Sequence, residues 1–224
     1  MLDQLVIGSK ASHDDFDASL KERAIHAPSK KSIKETVPFS NVTYDFSAIN
    51  GEVYWEERVL EYVFEIIAFT PEEMESKKTA FSNWVMNTMS ECIYDPFEPG
   101  WHYEGTFEDI TYEDDESLHK TTITVTFSAY PYKIENGLTV YSFTLPAASS
   151  IRKAVANDSS HRITPTIITD AELTLNLGNV AYAISAGETK DDSFKLEPGA
   201  NVLLIYNNTN ADCALTIEFH REVF

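Results

Sequence analysis

Arg58-Val59-Leu60-Glu61-Tyr62-Val63-Phe64-Glu65-Ile66-Ile67-Ala68-Phe69 runs straight into Thr70-Pro71-Glu72-Glu73-Met74, and this junction decides the fold class. In the first stretch Leu60, Tyr62, Phe64, Ile66 and Ala68 share one side of a period of two. Val59, Glu61, Val63, Glu65 and Ile67 share the other. One face is wholly apolar and the other mixed, the pattern of a strand with one side on a core. In the second stretch Thr70 is placed to cap orphan N–H groups. Pro71 suits the first helical position, where a missing N–H costs nothing. Glu73 stands at capping-box spacing. Glu72, Glu73 and Glu75 put negative charge at the positive end of the helix dipole, each worth roughly 0.3–1 kcal/mol. Met74, Phe81, Trp84, Val85, Thr88 and Met89 recur at helical spacing and predict one apolar stripe on a helix over 71–92. Asp95-Pro96 closes that segment, because the residue before a proline avoids the helical region.

On either side of this junction the chain reads as β. Leu5-Val6-Ile7 is a short apolar run ended by Gly8, and Val42-Thr43-Tyr44-Asp45-Phe46 lies between turns at 37–41 and 47–51. Residues 24–34 read as a loop holding the one local concentration of positive charge in this half, Lys30, Lys31 and Lys34. A solvated loop and an extended arm docking on the acidic face of a neighbouring subunit are both compatible with it. Asp95-Pro96-Phe97-Glu98-Pro99-Gly100 is a connection dense in breakers. Two β segments follow, over 101–112 and 118–130, the second alternating cleanly with Ile123, Val125 and Phe127 inward. Glu113-Asp114-Asp115-Glu116-Ser117 joins them as a solvated hairpin tip. Its spacing lacks the alternating ligands and sharp-turn glycine of a calcium loop.

Tyr130-Pro131-Tyr132 and Asn136-Gly137 mark a boundary, after which charge thins and short strands repeat. Candidates lie over 139–145, 163–169, 173–177, 181–185, 192–196, 201–206 and 214–219, with turns at Gly178-Asn179, Ala186-Gly187 and Pro198-Gly199. Seven short strands at this spacing predict a β-sandwich. The expected organisation is a first domain over 1–138 and a second over 139–224.

The charge of the 224 residues is uneven. Residues 1–138 hold 11 basic and 26 acidic side chains, the remainder 6 and 10, for a net of −19. Phosphate contacts need clustered Lys and Arg, so direct nucleic-acid binding is disfavoured, whereas solubility or a basic partner is favoured. No stretch approaches the roughly 20 apolar residues of a membrane span, and the N-terminus lacks the pattern of a signal peptide. Cys92 and Cys213 read as reduced, partly buried thiols. The six histidines show no metal-ligand spacing, and no nucleophile elbow, zinc-protease motif or phosphate-cradling glycine loop occurs. No catalytic residue, metal or cofactor is expected, and no enzyme.

Several stretches then carry a resemblance by their order. They are Val37-Pro38-Phe39, Tyr44-Asp45-Phe46-Ser47, Tyr54-Trp55-Glu56-Glu57-Arg58, Phe64-Glu65-Ile66, Phe81-Ser82-Asn83-Trp84, Tyr94-Asp95-Pro96, Tyr103-Glu104-Gly105 and Ala129-Tyr130-Pro131-Tyr132. Taken together they resemble the N-terminal domain of the distal tail protein (Dit) family of long-tailed, non-contractile phages and prophages. Asn157, Pro165-Thr166-Ile167, Tyr182 and Phe194-Lys195-Leu196-Glu197-Pro198-Gly199-Ala200-Asn201 resemble that family's C-terminal galectin-like sandwich.

The resemblance implies a mainly β fold with one prominent helix: an N-terminal β-sandwich or split barrel flanked by that helix, then a galectin-like β-sandwich. It further implies a virion structural protein of the tail tip, made in the host cytoplasm and assembling with itself as a homohexameric ring. The ring would join the major tail tube protein to the tail-associated hub protein and to receptor-binding or baseplate proteins, with DNA only passing through its channel and no membrane contact. The alternative is a glycan-binding module acting in host cell-wall recognition through the C-terminal sandwich.

Overall fold

The computed structural model of the chain describes residues 4–36, 39, 41–48, 51–115 and 119–224. The expected turns at 37–41 and 47–51 and the hairpin tip at 113–117 fall partly outside the described residues. The fold class is the expected one, mainly β with one long helix. The chain divides into two compact units, Met1–Lys133 and Ile134–Phe224.

The first unit contains β1 (Val6–Ile7), β2 (Lys10–Ala11), the short α1 (Ser12–Phe16), β3 (Ser19–Ile25), β4 (Lys34–Thr36), β5 (Thr43–Asp45) and β6 (Arg58–Ile67). After the long helix α2 (Pro71–Met86) come β7 (Glu91–Tyr94), β8 (Trp101–Asp115) and β9 (Lys120–Ala129). Seven of these strands form an antiparallel sheet in the order β3-β6-β9-β8-β7-β1-β2. β4 and β5 pair only with each other.

The period of two in β6 is realised as read. Leu60, Tyr62, Phe64 and Ile66 are buried, and their register sets Leu60 opposite Phe127, Tyr62 opposite Val125 and Phe64 opposite Ile123. On this apolar face lies α2. Phe81 and Val85 are fully buried, the Phe81 ring 5.0 Å from that of Phe64, while Trp84 stacks on Phe16 at 4.6 Å. The cap is also as read: Thr70 Oγ1 accepts from the Glu73 N–H at 3.2 Å. The Glu73 carboxylate reaches back past the cap residue and accepts from Phe69 N–H at 3.0 Å.

The helix stops short of the expected 92. It ends at Met86 with Asn87 as its cap. Ser90 then adopts a left-handed φ of 51°, turning the chain so that Cys92 lies in β7. Ile93 gains complete burial in the sheet, an apolar contact that further helical turns could not supply. Thr88 is still buried, but Met89, expected on the apolar stripe, is 78% exposed. Asp95-Pro96 therefore ends a strand, not the helix.

The second unit holds β10 (Lys133–Leu145, whose first residue is the last of the first unit), β11 (Ser149–Asn157), β12 (Thr166–Thr169), β13 (Leu173–Leu177), β14 (Val180–Ile184), β15 (Gly187–Lys190), β16 (Gly199–Asn207) and β17 (Cys213–Val223). They make two four-stranded sheets, β15-β12-β17-β10 and β11-β16-β13-β14. Val155, Ile167, Leu175, Phe194, Leu203, Ile205, Leu215 and Ile217 form the core. Three buried asparagines tie its loops. Asn201 is one, its Nδ2 donating to the carbonyls of Glu197 and Gly199, which is why Pro198-Gly199-Ala200-Asn201 leads into a strand.

Asn136-Gly137 lies extended inside β10. One sequence expectation fails in this unit: residues 192–196 form no strand. Asp191 instead accepts from Ser193 N–H, and Phe194 N–H returns to the Asp191 carbonyl, a turn that drops Phe194 into the core. β11 was not anticipated, because Ser149-Ser150-Ile151-Arg152-Lys153 lacks apolar alternation.

All three tryptophans lie in the first unit, so their fluorescence reports on it alone. In urea unfolding followed by this signal, Phe81→Ala is expected to destabilise the unit by about 3–5 kcal/mol, and Thr70→Ala by about 1 kcal/mol.

Candidate assembly interface

Between β3 and β6 the chain leaves the sheet. Past the β3–β6 pair the two segments stay together: His26 N–H donates to the Val59 carbonyl, Glu56 to Ser29 and Lys31 to Tyr54, with Lys30 bridged to Trp55. Further out, Phe46 N–H donates to Ile33, and β4 pairs β5 through Lys34 opposite Asp45. The Ser47 hydroxyl accepts from Ile33 N–H, and Ser47 N–H donates to Asp45. The Ser47 bonds, helped by Lys34 and Lys30, hold the Asp45 carboxyl below its ordinary range.

The resulting arm is almost uncovered. Among the described residues of 26–57, Pro28 and Ser47 are buried and Glu52 and Trp55 half-buried; the rest are exposed. Ile33, Val42, Tyr44, Phe46, Val53 and Tyr54 all rank among the exposed large apolar side chains, Tyr44 at 52%. The Tyr44 and Phe46 rings lie stacked 6.3 Å apart. An isolated two-stranded ribbon is marginal in water, and an apolar patch of this kind marks an interaction surface.

The root of the arm is rigid by contrast. Arg23 on β3 donates to Asp95 at 2.6 Å, and the Tyr62 hydroxyl donates to the same oxygen at 3.2 Å. Asp95 is 1% exposed, so its charge is matched where water cannot reach it. Glu98 accepts from Lys133 at 2.6 Å and from the Tyr103 hydroxyl at 3.3 Å, and lies 3.5 Å from Arg23. The Arg23 guanidinium also sits 4.9 Å from the Phe97 ring centre, and that of Arg58 5.3 Å from Tyr103.

Burial opposes the charge on Arg23, but Asp95 outweighs it and holds the guanidinium above its ordinary pKa. Burial pushes the Tyr62 hydroxyl far up, with Asp95 adding to the shift. The Tyr103 hydroxyl is pushed up to about 12 by burial and by Glu98. Burial would raise Glu98 too, yet Lys133 and Arg23 bring it below the usual carboxylate range. The network clamps the strand ends from which the arm departs.

The three lysines singled out from sequence all lie on this arm: Lys30 and Lys31 on its proximal part, Lys34 on β4, all exposed. Sequence reading did not find the apolar strip beside them. Tyr44 and Phe46 alternate as strand residues do, and only the lack of a covering layer in the fold shows them to be a surface. Cys92 and Cys213 are free thiols, half-buried and buried. Among the described residues no group of His, Cys, Asp and Glu side chains is placed to hold a metal ion, and no helix is long and apolar enough to cross a membrane.

Comparison with solved structures finds the crystal structure of SPP1 Dit (gp 19.1), described as a paradigm of hub adsorption apparatus in phages infecting Gram-positive bacteria. The match has a TM-score of 0.71 and covers 98% of this chain and 99% of that one, at 15% identity. The chain has the fold of SPP1 Dit. No protein-family model and no curated protein matches it. The likeness to Dit takes in both units, so neither unit is an addition to the Dit fold.

Lys133→Met tests the clamp. A carboxylate with a lowered folded pKa adds stability above its ordinary value, here 4.5, and that stability is lost as pH falls through the folded value. The variant is expected to lose about 1–2 kcal/mol at pH 7. On acidification below pH 4.5 it should lose less than the native chain does, in urea titrations followed by tryptophan fluorescence.

Proposed function

We propose that this chain is a structural component of a phage tail tip, a distal-tail adaptor that assembles with itself into a homohexameric ring. The observation that carries this reading is the likeness to SPP1 Dit over nearly the full length of both chains. The uncovered arm supports it independently, since an apolar ribbon on a soluble protein calls for a covering partner. In this reading Met1–Lys133 forms the ring and Ile134–Phe224, a galectin-like sandwich, projects from it. The ring joins the tail tube protein to the tail-associated hub and to baseplate or receptor-binding proteins. DNA passes through without being held, because a chain carrying −19 offers phosphates repulsion. The role is architectural, with no catalytic step.

Electrostatics shape the assembly. Six copies at −19 each repel one another, so the ring rests on apolar contact and strand pairing, and the arm lysines offset the excess locally. The purified protein is expected to show rings with a central hole by negative-stain electron microscopy. Replacing Lys30, Lys31 and Lys34 by Ala should weaken ring formation at low salt, with the difference shrinking as salt rises. A triple variant that assembles like the native chain by native mass spectrometry would rule out a role for these charges.

A further inference from the structure

One recess of the first unit is lined by groups that the fold itself leaves unused. It has a volume of about 450 Å³ and lies between the β1–β2 turn, α1 and the last turns of α2. Phe16 and Trp84, stacked 4.6 Å apart, give it an aromatic wall. Asn83 and Asn87 line it from one helical turn to the next. Asn87 Nδ2 donates to the Asn83 carbonyl, which leaves Asn87 Oδ1 and the whole Asn83 side-chain amide without partners among the described residues.

Two opposite charges stand on the same recess without pairing. Lys10 holds its Nζ 5.6 Å from the Phe16 ring centre and is in no ion pair among the described residues; nor is Glu91. The Glu91 carboxylate lies against the β1–β2 turn, where Gly8 takes a left-handed φ of 61° and leaves room for it. A Cβ on Gly8 would stand 2.8 Å from the carboxylate Oε2. Thr88, also on the recess, is 3% exposed, and its Oγ1 has no hydrogen-bond partner. A buried hydroxyl left unpaired is costly, and folded proteins keep few of them. The fold does not call for it, since the Thr88 backbone is already satisfied. Its N–H donates to the Val85 carbonyl at 3.0 Å, and its carbonyl accepts from Phe107 N–H at 3.0 Å.

We propose that this recess binds the pyranose ring of a neutral saccharide. Such a ring has apolar C–H faces and a rim of hydroxyls that both donate and accept. The faces suit the aromatic wall, and the rim suits the donors and acceptors of Asn83, Asn87, Lys10 and Glu91. An ionic ligand is disfavoured, because either sign would meet its like in Lys10 or Glu91. A sugar hydroxyl gives the Thr88 hydroxyl the partner it lacks. A recess of this size with a few convergent polar groups is the usual form of a small-molecule site. It lies wholly within Met1–Lys133 of one copy, so it is separate from the C-terminal sandwich and needs no ring.

Saturation-transfer NMR on the full chain with lactose, cellobiose and chitobiose, each at millimolar concentration, tests this. At least one of the three should bind saturably, with little change as salt rises. Thr88→Val removes the hydroxyl and keeps the shape. It should leave tryptophan-monitored unfolding unchanged or slightly more resistant to urea, and weaken saccharide binding about fivefold. Asn83→Ala, at an exposed helical position, should weaken binding to a similar degree with the fold intact. No saturable signal from any of the three sugars overturns the site. Sugar signals that survive both substitutions come from elsewhere on the chain and overturn it too. A Thr88→Val chain that is less stable yet binds as the native chain does shows that the hydroxyl serves the fold. Methylammonium or acetate binding in place of sugar, and lost on adding salt, makes the recess an ion site and equally contradicts the assignment.

Discussion

Strand β6 has a dry side and a wet side, and a slip of one residue against β9 would exchange them. Its register puts Leu60, Tyr62, Phe64 and Ile66 under α2 and leaves Val59, Glu61, Val63, Glu65 and Ile67 on the open face. The helix holds that register in place: Phe81 is fully buried on the aromatic side of β6, its ring 5.0 Å from Phe64. The arm depends on the same strand, since residues 54–57 lead directly into it and Arg58 is buried over Tyr103 where the two meet. Core, open face and arm are three consequences of one pairing.

The polar clamp at the strand ends makes the difference between a rigid root and a loose ribbon. Arg23, Asp95, Tyr62, Glu98, Tyr103 and Lys133 come from β3, β6, β8, the connection after β7 and the first residue of β10. A buried carboxylate such as Asp95 is costly unless its lone pairs are matched, and removal of one partner leaves an uncompensated charge. The clamp therefore fixes how the arm leaves the sheet. Flexibility beyond residue 26 costs the fold nothing, because no part of either core rests on it.

Much of this was legible in the residues. The alternation at 58–68 and the cap at Thr70 carried strand and helix correctly, because both are local patterns with local causes. The end of the helix was not legible. Met89 keeps helical spacing, but Ile93 is better buried in the sheet, a tertiary gain that no local signal reports. β3 and β11 were missed because Lys21-Glu22-Arg23 and Arg152-Lys153 put charges into edge strands. The edge position is itself the reason such residues are tolerated there. At the candidate interface the lysines stood out as charge in an acidic half. The aromatic strip beside them looked like any strand, since exposure is a property of the fold and not of the spacing.

In the proposed ring the arm over residues 26–57 is completed by another copy of the chain. Hydrogen–deuterium exchange of its backbone amides as a function of protein concentration tests this most directly. The amides of Lys31, Phe46 and Glu56 should exchange freely in dilute solution and gain protection as concentration rises, while those of β6 stay protected throughout. Arm amides that exchange at one rate across the whole concentration range, with the protein associating or not, would contradict it.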